Sequence, residues 1–381
     1  GIGCESTGKP QPAADKKPIY FPQPPIPARL QFLTTFSDGE QWVQKSKGGS
    51  LVDWVAGEAE QARPSTYFDS PYGIAARHGR IYICDVGRDI VHVVDMVQQS
   101  YSTLDPPQGF GNPVNVAISR AGRKYVTDTK KGQIFVFGPD DQFIETLGNA
   151  ERGWPIDVAL DEDADQLTLY VADVRDSEVE VWNAQGDLLR TIGTKGKGLE
   201  ELQSPTNLAL SPDGLVYVVD TVLQMVKIYD TEGRFRGTLG QPGSNVGGFA
   251  RPKGIDIDEH GRVFVIDTQW QVLQIFDKDG KVLMVFGGPG GEPYSMGLPA
   301  TVVLDKTSLD AFASHISADF QAQAVMLIVN QCGANAVTGF AFGRIPGQAM
   351  PEGDELDATL RQRAEEQGRL SEEADTPTAP E

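Results

Sequence analysis

Apolar side chains recur with period two in short runs bounded by glycine, proline, asparagine or aspartate, the pattern of strands joined by turns. The runs themselves repeat. A proline followed by a small or polar residue and an aliphatic pair stands at Pro71, Pro113, Pro155, Pro205, Pro252 and Pro299, in segments reading PYGIAA, PVNVAIS, PIDVALD, PTNLALS, PKGIDID and PATVVLD, spaced by 42, 42, 50, 47 and 47 residues. A second strand in each unit ends on a side-chain oxygen, at Asp85, Asp128, Asp173, Asp220, Asp267 and Asn330. Third strands such as Val179–Trp182 and Leu273–Phe276 follow, and fourth strands end in Gly148, Gly193, Gly240 and Gly287. A four-stranded meander cannot bury both faces alone; stacking six radially closes the core.

The sixth unit lacks a fourth strand after Phe342, whereas Leu30–Phe36, reading LQFLTTF, has no unit of its own. The expectation is therefore an all-β, six-bladed β-propeller of four-stranded antiparallel blades whose last blade is closed by an N-terminal strand, leaving no free sheet edge. The propeller spans residues 29–343. Before it, residues 1–28 include seven prolines between positions 9 and 27 and read as an extended spacer. After it, residues 344–381 carry ten acidic and four basic side chains and read as an acidic tail. An insertion, Ser308 to Phe320, carries Phe312, Ile316 and Phe320 at helical spacing.

The combination P-x-G-I-x-x, aromatic-V-x-D and a fourth strand ending in F-G or L-G resembles the NHL-repeat propellers. The resemblance covers about residues 29 to 343. Within that group, a proline-rich lead, the strand P-A-R-L-Q-F-L and an N-Q-x-G turn in the last blade are similar to bacterial lipoproteins that accompany multihaem c-type cytochromes. The resemblance implies a protein partner of that kind. It leaves the activity open, because one scaffold carries binding modules, lyases and lactonases.

Charge narrows the partners. A formal net charge of −20 lacks the footprint of a nucleic-acid binder. The three cysteines, Cys4, Cys84 and Cys332, are too few and scattered for a disulfide framework or zinc cluster, and no C-x-x-C-H attaches haem. Cys84 reads as core and Cys332 as a turn thiol. Gly1-Ile2-Gly3-Cys4 followed by a polar, proline-rich stretch reads as a lipoprotein cleavage site, with Cys4 acylated and the protein periplasmic or extracellular, anchored to the outer membrane through lipid alone.

Candidate chemistry is sparse. The oxygens ending the second strands read as turn caps, since each falls where a turn begins. Two residues after each proline stand Gly73, Asn115, Asp157, Asn207, Gly254 and Thr301, and the adjacent set Asn115, Asp157 and Asn207 could hold Ca²⁺ with one carboxylate and two amide oxygens. Otherwise no cofactor is expected. His78 and His260 fall in H-G-R turns between first and second strands, His92 in a third strand and His315 in the insertion, so no two are brought together, and Walker, dinucleotide and H-E-x-x-H motifs are absent. On the turns of blades four and five, Val222, Leu223 and Trp270, joined by Phe249, Tyr294 and Met296 from nearby connections, form a candidate apolar partner-binding patch.

The first functional reading is a non-catalytic binding or scaffold propeller for a protein partner outside the cytoplasm. Its rivals are a Ca²⁺-dependent lactonase or lyase working in the propeller channel, and a sensor or cell-wall glycan-binding module.

Overall fold

A computed structural model describes residues 17–24, 26–43, 66–148, 153–163 and 166–348. Five four-stranded antiparallel sheets and one five-stranded sheet form six blades. The first five run from Pro71–Arg77 to Ser100–Leu104, Pro113–Ile118 to Phe143–Leu147, Pro155–Asp163 to Leu188–Ile192, Pro205–Leu210 to Phe235–Leu239, and Pro252–Ile257 to Val282–Gly287. Each begins at its proline because the fixed φ and missing N–H suit the first residue of a strand. These inner strands pack on one another around a common axis, including the first against the sixth, so the ring is closed.

Closure follows the expected register. Leu30–Phe36 pairs antiparallel with Val337–Arg344, placing Leu30 opposite Phe342 and Phe36 opposite Val337. The blade then gains an unexpected fifth strand, Tyr20–Phe21, paired to Gln31 and Leu30. Part of the proline-rich spacer thus docks. Phe21 wedges among Phe286, Tyr294 and Phe340 at centroid distances of 4.8, 4.9 and 6.4 Å, and the Tyr20 hydroxyl donates to Asp319 at 2.7 Å. The insertion forms a 3₁₀ turn, Asp310–His315, that buries Phe312 and Phe320 between blades six and one.

The oxygens ending the second strands act as caps. The Asp85 carboxylate accepts from the N–H groups of Asp69, Ser70 and Gly87, and Asp220 accepts from Gln203, Ser204 and Leu223. Each ties its own turn to the segment entering the blade, so these carboxylates hold structure and do not converge on a ligand. Cys84 is a buried free thiol, and burial pushes its pKa up. Cys332, expected as a thiol, is held in a disulfide. Cys4, and the tail beyond Gln348, lie outside the described residues. No helix among the described residues is long and apolar enough to cross a membrane.

Candidate active site at the channel mouth

The Asn115, Asp157 and Asn207 side chains do come together, because the inner strands of blades two, three and four lie side by side. Asn115 Nδ2 donates to Asp157 Oδ1 at 2.6 Å, and Asn207 Nδ2 to Asp157 Oδ2 at 3.3 Å. The backbone N–H groups of Val158 and Leu208 reach the same two oxygens at 2.8 and 2.9 Å. Gly73 is required beside them: a Cβ there would lie 2.3 Å from the Val114 carbonyl oxygen and 2.5 Å from Asn115 Oδ1.

A Ca²⁺ ion does not fit this set. Such an ion takes six to eight oxygen ligands, yet all four acceptor directions of the one carboxylate already meet N–H groups. Turning either amide over would aim its oxygen at the carboxylate and lose the bond. Asn115 Oδ1 accepts from Val116 N–H at 2.9 Å, which leaves Asn207 Oδ1 and Thr301 Oγ1 as buried oxygens without a partner among the described residues. Among the described residues no group of three or more His, Cys, Asp or Glu could hold a metal. The expected metal set is instead a clasp joining blades two, three and four. Burial raises the Asp157 pKa to about 6 even though four hydrogen bonds favour its ionised form.

Two residues that sequence reasoning passed over are more informative. Lys253, one residue after its proline, is 8% exposed at the mouth of the axis, where Tyr72, Val114 and Ala300 form an apolar cluster. Its Nζ lies 4.8 Å from the Tyr72 ring centroid and 3.4 Å from Gln331 Oε1. Desolvation, with the neighbouring Arg251 charge second, lowers its pKa to about 8. The other two buried lysines among the described residues are anchored differently. Lys124 pairs with Asp141 and the Gly138 carbonyl, and Lys227 donates to the carbonyls of Gly198, Leu199 and Glu201. No carboxylate pairs with Lys253 among the described residues. Gln331 also lines a cavity of about 110 Å³ with Phe68, Asp69, Pro71, Asn330 and Gly333, so the contact of the amine, though not the amine itself, borders that space. Asp256, three residues further along the same strand, accepts from the N–H groups of Ile257 and Leu304 at 2.8 and 2.6 Å. Burial raises its pKa to about 7.

The histidines stay apart. His92 is buried between Asp85, at 3.2 Å, and the Tyr101 hydroxyl, at 2.8 Å, and desolvation lowers its pKa. His78 and His260 remain in turns, and His315 ends the 3₁₀ turn.

The apolar patch divides. Phe249 and Met296 are 0% and 2% exposed and belong to the core, because the glycine-rich loops fold them inward, and Tyr294 packs on Phe21 and Phe32. Phe249 and Met296 are not surface, and Tyr294 is partly buried. Val222 and Trp270 stay 54% and 44% exposed on neighbouring turns, with Leu223 half-buried between them in sequence.

Comparison with solved structures returns the propeller fold. A virginiamycin B lyase from Staphylococcus aureus shares 12% identity over 72% of this chain and 96% of its own, with a TM-score of 0.51. A luciferin-regenerating enzyme shares 13% over 73% and 95%, with a TM-score of 0.51. A Bacteroides thetaiotaomicron protein of unknown function shares 17% over 72% and 70%, with a TM-score of 0.55. At these identities the likeness is one of fold. A comparison with curated proteins finds no match. A family model described as "SMP-30/Gluconolactonase/LRE-like region" matches residues 73–296. That match corrects the expectation of a non-catalytic scaffold, since the family takes its name from an enzyme, and leaves the NHL likeness as a likeness of repeats. With more than half its length matched, the chain belongs to the SMP-30/gluconolactonase/LRE-like family of β-propellers.

Proposed function

We propose that this chain is a lactone hydrolase whose chemistry runs at the channel mouth on the amine of Lys253, without an axial calcium ion. The observation that carries this reading is a buried lysine with no carboxylate partner among the described residues, whose contact Gln331 lines a small cavity, in a protein with a net charge of −20. A pKa near 8 keeps a fraction of the amine neutral at physiological pH, as a general base requires. The neutral amine takes a proton from water as the water oxygen attacks the lactone carbonyl carbon. The oxyanion that forms is stabilised by the Arg251 guanidinium, whose charge already acts on both Lys253 and Tyr72. Collapse breaks the acyl–oxygen bond, and the lysine ammonium returns its proton to the departing alkoxide. Tyr72 remains a neutral wall, because burial raises its pKa.

The test is proton release from a panel of γ- and δ-lactones. Hydrolysis should rise with pH through about 8, as the amine loses its proton, resist chelators and disappear in Lys253→Met. Retained hydrolysis in that variant, or no lactone opened by the parent, defeats the reading.

A second reading concerns a partner. The exposure of Val222 and Trp270 on adjacent turns favours a protein docking there, with a multihaem cytochrome as the candidate suggested by the repeat resemblance.

A further inference from the structure

We propose that Lys253 forms a reversible imine with small 2-oxo acids, making the channel mouth a covalent carbonyl-capture site. The inference shares the placement of Lys253 with the hydrolase reading but does not need lactone hydrolysis to occur.

Three features point to this chemistry. First, Lys253 is buried without a structural reason for its charge. Lys124 and Lys227 are saturated by a carboxylate or by carbonyl oxygens, whereas among the described residues Lys253 has only the Gln331 amide oxygen at 3.4 Å and the Tyr72 ring face. An amine so placed is desolvated and held by weak contacts, which leaves its lone pair available once the proton departs. Second, Gln331, which contacts the amine, also lines a cavity of about 110 Å³ that holds a molecule of a few heavy atoms and no more. Third, Arg251 is exposed two residues earlier on the same segment and makes no ion pair among the described residues. Among the described residues neither Lys253 nor Arg251 has an ion-pair partner, although the chain is strongly acidic. An anionic arm on the carbonyl compound supplies the missing charge, and a guanidinium is the group suited to a carboxylate.

The step balances without a further reactant. The neutral amine attacks the 2-oxo carbon to give a carbinolamine. The carbinolamine oxygen then leaves as water, carrying both protons formerly on nitrogen, and a carbon–nitrogen double bond remains. Hydrolysis runs the same steps backwards.

The experiment is reductive trapping of the full chain at neutral pH with pyruvate and borohydride, followed by peptide mapping. Borohydride supplies the hydride that fixes the imine as a secondary amine. Lys253 should carry the added propionate unit in preference to Lys306, which is 63% exposed and ion-paired with Glu259. Lys253→Arg should show labelling at background. Arg251→Gln should lower labelling by pyruvate about tenfold while leaving labelling by propanal, which has no carboxylate, close to the parent's. Equal labelling of Lys253 and Lys306 by pyruvate overturns the proposal, as does an Arg251→Gln variant that loses pyruvate and propanal capture alike. A chain that traps pyruvate at Lys253 but opens no lactone refutes the hydrolase reading alone; one that opens lactones but traps nothing refutes the imine alone.

Discussion

Replacing Asp157 by asparagine keeps the shape of the side chain and exchanges one acceptor oxygen for a donor. In the clasp, Oδ1 receives Asn115 Nδ2 and Val158 N–H, and Oδ2 receives Asn207 Nδ2 and Leu208 N–H. An asparagine oxygen can serve only one of these pairs, and its NH₂ would face the other pair donor to donor. Two buried donors left unpaired cost about 1–3 kcal/mol each, so the substitution costs about 2–6 kcal/mol against the ionised carboxylate, the form that accepts all four bonds. The parent itself has a pH-dependent cost. Its Asp157 pKa is raised to about 6 in the folded protein against about 3.9 unfolded. Between those values the folded state holds a proton that the unfolded state has released, so parental stability falls as pH rises through this window, by about 3 kcal/mol in total. Asparagine does not titrate. The deficit of Asp157→Asn should therefore be largest near pH 4 and shrink by about 3 kcal/mol by pH 7. Asp256 also titrates in this range but is common to both proteins and cancels in the difference. Urea unfolding followed by tryptophan fluorescence at several pH values measures it. A deficit that stays constant across the range would refute the raised pKa, and a rise in the parent's melting temperature on adding Ca²⁺, absent in the variant, would refute the clasp.

Lys253→Met should remove hydrolysis and yet stabilise the fold. Its pKa, lowered from 10.5 to about 8, corresponds to about 3 kcal/mol of destabilisation by the buried charge, less about 1 kcal/mol for the lost contact with the Tyr72 ring. The net gain of about 2 kcal/mol should be seen below pH 8 and fade as pH rises toward 10.5, where the parent's cost disappears; a destabilised variant at pH 7 would show that the amine is structural. Trp270→Ala combined with Leu223→Ala should leave the melting temperature nearly unchanged while weakening capture of a protein partner, since Trp270 is 44% exposed and lies outside the core clusters. Normal capture with a lowered melting temperature would reverse that assignment.

The fold was legible because a propeller states its rule six times. A proline starts each inner strand, an oxygen caps each second strand, and the one missing strand had a matching orphan in Leu30–Phe36. The two-residue strand Tyr20–Phe21 was not legible, because two residues carry no period and the prolines around them suggested a tether. At the axis, side-chain oxygens in the column two after each proline drew attention to Asn115, Asp157 and Asn207, and these do meet. Spacing brings side chains to one place, but it cannot tell which hydrogen-bonding directions remain free there, and that decided against calcium. The informative signal lay in two other columns. One residue after each proline the chain reads Tyr72, Val114, Ile156, Thr206, Lys253 and Ala300, and four residues after it Ala75, Ala117, Ala159, Ala209, Asp256 and Val303. Only blade five places a charge in either column, and it does so in both. Core packing gives no reason for a charge where the equivalent positions hold small or apolar groups, and burial shifts both pKa values toward neutrality at a cost in stability. A repeat that places charges in these two columns on one inner strand and on no other has made its six-fold scaffold asymmetric. Reactivity needs that asymmetry, since a single buried amine can transfer a proton or form a bond, whereas six equivalent positions could only line a passage.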